Sequence, residues 1–232
     1  PIQRLTHGIT VTDKWMQEMI DGDNNKRSLW AKVIQSRVEK GYPYIFFADT
    51  VNNNTVEVYK DKGMKINHSN LCSEIMLPNN KDESFVCCLS SMNLLHFDEW
   101  KDTDAVETMI YFLDAVISEF VSDLEEMRDS DEPEKQNAFK FMERAYNFAK
   151  EHRALGLGVL GWHSYLQSKM IPFESTEASQ LNVRIARIMK KKAYKASKEL
   201  AVLFGEPEVM KGYGRRNSTL LATAPTTSSA FI

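Results

Sequence analysis

Apolar and polar positions divide the chain into long helices separated by short apolar runs. The spacing predicts helices over residues 12–21 and 25–40, the second with Leu29, Trp30, Val33, Ile34 and Val38 on one face. "YIFFADT" (44–50) predicts a buried strand and "VNNNT" the turn after it. "ESFVCCLSSMNL" (83–94) predicts a second strand, Phe85 to Leu89. The clearest helix is 103–126, where Val106, Met109, Ile110, Leu113, Ile117, Phe120 and Leu124 fall at helical spacing. A polar break at 128–136 precedes helices at 135–151, 158–169 and 176–204. The last of these turns Leu181, Ile185, Ile188, Met189, Ala196, Leu200 and Leu203 inward. "GEPEVMKGYGRRN" predicts a loop and "STLLATA" (218–224) a strand. Strands alternating with long helices predict an α/β fold with mostly parallel pairing. No repeat or low-complexity linker breaks residues 1–232, which are expected to be one domain.

Composition narrows the function classes. With 43% hydrophobic and 26% charged residues over 232 positions, the balance is that of an ordinary globular chain able to bury a sizeable core. The net charge of -3, with "KKK" at 190–192 as the one basic block, argues against nucleic acid or a membrane surface as the main partner. No apolar run approaches the roughly 20 residues needed to span a bilayer. The opening "PIQRLTHG" is not a signal peptide. Three cysteines without a Cys-x-x-Cys pair argue against a disulfide framework or a structural zinc site, and a reducing, cytoplasmic setting is expected. The chain starts on proline and stops at "TTSSAFI", so it is expected to be an internal fragment of a longer protein.

Several stretches could carry chemistry. "GLGVLG" (156–161) matches the dinucleotide fingerprint in letters, but that motif needs a strand before it and an acidic residue about 20 positions on. Here the polar helix "AYNFAKEHRAL" precedes it, so close packing of a helix is the better account. "APTTSS" (224–229) after a strand offers N–H groups and hydroxyls to an anion, or a helix cap. In an extended loop Asn70, Cys72 and Glu74 would share one face, aiming an amide, a thiol and an acid at one spot. A neighbouring carboxylate disfavours a thiolate, so Cys72 would be a poor thiolate nucleophile. The competing account is a small buried hydrophobe, the commonest fate of a free cysteine. Cys87 and Cys88 point to opposite faces if they lie in a strand, and both could simply pack. His7, His96, His152 and His163 are expected to be surface or core residues rather than ligands, and the acidic stretch 119–132 a solvated face.

"SNLCSEIMLP", "VCCLSSMNL", "HRALGLGVLGWHSYL" and "RRNSTLLATAPTTSS", in that order and spacing, resemble the large catalytic subunit of ribonucleotide reductase, closer to the aerobic two-subunit type than to the cobalamin-dependent one. The resemblance covers essentially the whole chain. It implies part of a ten-stranded α/β barrel: the end of one half-barrel, a central finger loop near 67–80, and the start of the second half. It implies that Cys72 becomes a transient thiyl radical that takes hydrogen from the ribose. Glu74 would accept the 3′-hydroxyl proton, and Asn70 would bind and orient substrate alongside Leu71 and Ser73. The frame Cys-x-Leu-Ser-x-x-Asn-Leu makes Cys87 one of the two redox cysteines and leaves Cys88 to pack. Pro225, Thr226, Thr227, Ser228 and Ser229 would bind substrate phosphates. No metal or cofactor is implied for this chain itself. The radical would come from a metal-containing small subunit, electrons from thioredoxin or glutaredoxin, and ATP or deoxynucleotide effectors would bind in segments outside the chain. A thiyl radical forms from a neutral thiol, so a carboxylate beside Cys72 does no harm. The implied activity is reduction of ribonucleoside diphosphates, by the chain joined to the rest of the large subunit. Alternatives are an adenosylcobalamin-dependent reductase and a non-catalytic nucleotide-binding module.

Overall fold

Side-chain caps set where the first helices begin. The computed structural model describes residues 6–231. Helix α1 (Asp13–Ile20) starts behind Thr12, whose hydroxyl accepts the Trp15 N–H at 3.2 Å. Helix α2 (Asn24–Lys40) starts behind Asp23, whose carboxylate accepts the N–H groups of Asn25 and Lys26, and ends at Gly41 in the left-handed region. Strand β1 (Gly8–Val11) lies parallel to β2 (Tyr44–Phe47), with Gly8 opposite Tyr44 and Val11 opposite Phe47. β2 is half-buried: Phe46 faces inward and Phe47 outward.

Helix α3 (Ala48–Asn54) follows β2 directly, so the predicted "VNNNT" turn is helix for most of its length. Asparagine usually leaves helices because its side chain competes for backbone partners. Here Asn52 and Asn54 donate to the carbonyls of Ala48 and Thr50 one turn back, which satisfies both amides inside the helix. Asn52 also exchanges two bonds with the backbone of Ile66. Helix α4 (Glu57–Asp61) buries Val58 and Tyr59 completely. The apolar face predicted for α2 is not covered within this unit: Leu29, Ile34 and Val38 are exposed. Its main neighbour is α1, where Trp15 meets Trp30, and eight residues cannot cover a helix of seventeen.

The described residues form two compact units that part between Asn79 and Asn80. The second contains β3 (Leu89–Asn93), α5 (Phe97–Trp100), α6 (Ala105–Asp129), α7 (Pro133–His152), β4 (Gly156–Leu160), α8 (Trp162–Ser168) and α9 (Thr176–Phe204). β3 and β4 pair in parallel, Leu89 opposite Gly156, as the alternation predicts. The strand predicted from Phe85 to Leu89 begins where it was expected to end. Phe85 turns inward against Phe148, and pairing starts at the bond from Gly156 N–H to the Cys88 carbonyl.

The helix predicted over 158–169 starts at Trp162, and "GLGVL" is β4. Each glycine costs a helix about 1 kcal/mol relative to alanine. In a strand, their bare backbone admits a close neighbour: a Cβ on Gly158 would lie 2.3 Å from the Ala222 carbonyl oxygen. The close packing expected of this stretch is present, on a strand and not on a helix. The predicted strand 218–224 is extended, joined to β4 by a single parallel bridge, Leu157 to Leu221. α6 and α9 supply most of the core, with Val106, Ile110, Leu113 and Ile117 facing Ile185, Met189, Ala196 and Leu200. Leu203, expected inside, is exposed with the rest of the last turn of α9, where the apolar stripe outruns its contacts.

A buried ionic cluster ties these helices together. Asp114 on α6, 3% exposed, accepts hydrogen bonds from Arg153 Nε (2.8 Å), Arg216 Nε (3.0 Å) and Asn217 Nδ2 (2.8 Å). Arg153, the left-handed residue that ends α7, also donates to the Asp114 carbonyl and to Ser118 Oγ. Arg216 caps the end of α9 through the carbonyls of Phe204 and Gly205. Burial works against ionisation of Asp114, but the Arg153 hydrogen bond and the charges of Arg153 and Arg216 outweigh it and hold the carboxyl below its usual range.

Two predictions follow from this packing. An ionised Asp114 stabilises the fold above its unfolded pKa of about 3.9, and that contribution disappears as pH falls through the lower folded value. Asp114→Asn is therefore expected to cost about 3–5 kcal/mol at neutral pH, with the gap to wild type narrowing below pH of about 4. Urea titrations at several pH values check this, and a pH-independent gap would contradict it. Gly158→Ala is expected to destabilise by about 1–3 kcal/mol, because its Cβ meets backbone. Gly156→Ala should cost less, since its nearest atom is the mobile end of Leu89. Thermal melts of the two variants give the order.

Candidate active site

Residues 70–75 form a tight turn. Asn70 is the centre of it: its side-chain oxygen accepts the N–H groups of Glu74 (3.1 Å) and Ile75 (3.0 Å), and its Nδ2 donates to Glu74 Oε2 at 2.8 Å. The Asn70 backbone closes the loop, with Ser73 N–H on its carbonyl and its own N–H on the Ile75 carbonyl. Ser73 takes a left-handed conformation (φ 67°) to complete the reversal. The expected extended loop with alternating side chains is replaced by this turn, because one asparagine satisfies three local partners at once.

The consequence for the three chemistry-bearing residues is specific. Asn70 and Glu74 are brought into direct contact, with the carboxylate partly buried. Leu71 and Cys72 project from the turn and are exposed in this chain, so Cys72 is not packed into the core of its own unit. A cavity of about 270 Å³ lies beside the turn, lined by His7, Ile9, Tyr44, Phe46, Asn70 and Met76 among others. β1 and β2 supply its wall, so the parallel pair holds one side of the space onto which the turn opens.

In the second unit the vicinal cysteines separate as strand-like geometry requires. Cys87 is exposed. Cys88 is buried, its Sγ 3.4 Å from the Leu113 carbonyl. Burial, and then the nearby Asp114 charge, pushes the Cys88 thiol up to about 11. Pro225, Thr227, Ser228 and Ser229 are exposed and Thr226 is partly so, in a turn that runs into a short 3-10 helix at Ser229–Phe231. His152 is a core residue, stacked on Phe148 at 4.1 Å with Nε2 3.3 Å from Glu83 Oε1.

The sequence reading did not single out Asp114, Arg153, Ser197 or Asn217. Asp114 left a signal: it is a charge inside the apolar stripe Ile110, Leu113, Ile117 of α6. Such a residue is buried with its partners or not tolerated. Arg153, Ser197 and Asn217 left none, because their partners are distant in sequence.

The family model described as "Ribonucleotide reductase, barrel domain" matches residues 14–212. The solved alpha subunit of the class Id ribonucleotide reductase of Actinobacillus ureae is 55% identical with a TM-score of 0.89, over 97% of this chain and 41% of that one. The putative ribonucleoside-diphosphate reductase large subunit of Frog virus 3 (isolate Goorha) is 40% identical over 98% of this chain and 41% of its own length. The large subunit from Invertebrate iridescent virus 3 is 34% identical, over 98% of this chain and 35% of its own length. The chain therefore spans well under half the length of these relatives. With its parallel strands, long helices and four motif blocks accounted for together, the chain belongs to the ribonucleotide reductase family and forms part of that family's α/β barrel domain.

Proposed function

We propose that the chain is the catalytic core of an enzyme that reduces ribonucleoside diphosphates to deoxyribonucleotides for DNA precursor synthesis. The observation that carries this reading is the 70–75 turn, in which Asn70 grips Glu74 and leaves Cys72 exposed at the apex. Family membership supports the same chemistry. The Cys72 thiol would give up a hydrogen atom, as one electron and one proton, to the radical that a metal-containing small subunit would supply, and so become a thiyl radical. Cys72 then abstracts hydrogen from the ribose 3′ carbon. Glu74 accepts the 3′-hydroxyl proton, which assists loss of the 2′-hydroxyl as water. Asn70 holds Glu74 before substrate arrives, and its amide nitrogen has a second hydrogen to offer the nucleotide. Cys87, with a second cysteine outside this chain, supplies two electrons and closes to a disulfide. At the end the Cys72 thiol returns a hydrogen to the ribose 3′ carbon and is again a thiyl radical. The balance is one ribonucleotide and two thiols to one deoxyribonucleotide, one disulfide and water, with the disulfide reduced by thioredoxin or glutaredoxin. Pro225–Ser229 bind the substrate phosphates.

The test uses the complete large subunit assembled with its small subunit, following CDP to dCDP with dithiothreitol. Cys72→Ser is expected to abolish turnover, and Glu74→Gln to lower kcat by about 10²–10⁴ while CDP still binds. Equal activity in wild type and Cys72→Ser would remove the thiyl reading. Cys88→Ser is expected to retain activity, since serine keeps a donor for the Leu113 carbonyl. Loss of activity in a folded Cys88→Ser variant would count against assigning the redox role to Cys87.

A further inference from the structure

We propose that Asn217 is a positioning residue for the phosphate-binding segment, fixing the register in which residues 218–222 lie beside 155–157. This rests on the reading of Pro225–Ser229 given above. Asn217 is completely buried, and its amide is spent on three separate elements. Nδ2 donates to Asp114 Oδ1 on α6 (2.8 Å) and to the Arg153 carbonyl behind α7 (3.0 Å). Oδ1 accepts the Ser197 hydroxyl of α9 (2.8 Å), and the Asn217 N–H donates back to that oxygen (3.0 Å).

From this anchor the two segments close like rungs. Ser218 N–H meets the His152 carbonyl, Leu155 N–H the Thr219 carbonyl, Leu157 N–H the Leu220 carbonyl, and Ala222 N–H the Leu157 carbonyl. Asn217 and the ladder hold one register together, with Leu155, Leu157 and Leu220 all buried. Gly156 and Gly158 leave the room that Ala222 needs, and a slip of two in either direction would put Ala154 or Leu160 where a glycine now sits. Register is strongly specified where one face of a strand is buried. A slip of two residues shifts a strand by about 6–7 Å, more than twice a hydrogen-bond length. The side chain at 217 ties the start of that ladder to α6, α7 and α9, and so helps set where the hydroxyls of 226–229 are presented.

The experiment measures kcat and KM for CDP in the complete enzyme for wild type, Asn217→Ser, Ser228→Ala and the double variant. Asn217→Ser is expected to raise KM by about tenfold or more with kcat at saturation within about threefold, the split of a lost binding geometry. The effect of Ser228→Ala should shrink in the Asn217→Ser background, because the two residues act through one geometry. A generally destabilised protein would lose kcat with KM unchanged and show additive effects, and that result overturns the proposal. If Ser228→Ala raises KM while Asn217→Ser does not, positioning by Asn217 fails and the phosphate reading stands. If Ser228→Ala leaves KM unchanged, the phosphate reading falls and takes this proposal with it. Should Asn217→Ser not fold, Ser197→Ala removes only the hydroxyl that holds Asn217. It is expected to raise KM in the same sense, and an unchanged KM there also refutes the proposal.

Discussion

Asp114 sits on the buried face of α6 between residues that belong in a core, and the second unit is arranged around keeping it ionised. A carboxylate out of water is tolerated when charge and hydrogen bonds replace its hydration. Two arginines and an asparagine do so here, and they come from the end of α7 and from the segment after α9. Moving any of those elements would strand a charge. The cost of that is several kcal/mol, comparable with the whole net stability of a domain. A general hydrophobic core would hold α6 against α9 with some freedom to slide. The ionic cluster removes that freedom at one point, and the extended run toward Pro225 starts from that point.

The first unit uses the same device on a smaller scale. Asn70 gathers two backbone N–H groups and one carboxylate oxygen, so the loop is fixed by a short-range polar clamp. Both clamps place asparagine where its amide can donate and accept at once, which neither aspartate nor leucine could do at equal size. Each sits a few residues from groups assigned to chemistry in the proposed mechanism. Loops that must present reactive groups to a substrate cannot bury them. Their rigidity then has to come from hydrogen bonds at their base.

Cys87 and Cys88 illustrate how neighbours acquire different fates. Just ahead of β3, one side chain is exposed and the other packs against α6. Burial beside Asp114 makes the inner thiol a poor thiolate, which fits the proposed assignment of the redox role to Cys87. Two identical residues are thus sorted by backbone geometry before any partner is involved.

The sequence by itself determined the long helices, the parallel α/β arrangement and the motif blocks. Periodic apolar stripes such as Val106–Ile117 are local signals, written within a few residues of where they act. The glycines of "GLGVLG" were legible as a close-packing site but not as a strand, because their partner, Ala222, is more than sixty positions away. "VNNNT" was misread for the converse reason: its asparagines have the composition of a turn, and a helix accommodates them when their amides find carbonyls one turn back. The residues proposed for catalysis were recognisable by type and order, while the turn that presents Cys72 was not, since alternation along an extended chain is the default that a single well-placed amide overrides. The tertiary structure alone decided that Asp114, Arg153, Ser197 and Asn217 form one cluster. Their spacing in the chain carries no period, and only folding brings groups so distant in sequence within 3 Å of one another.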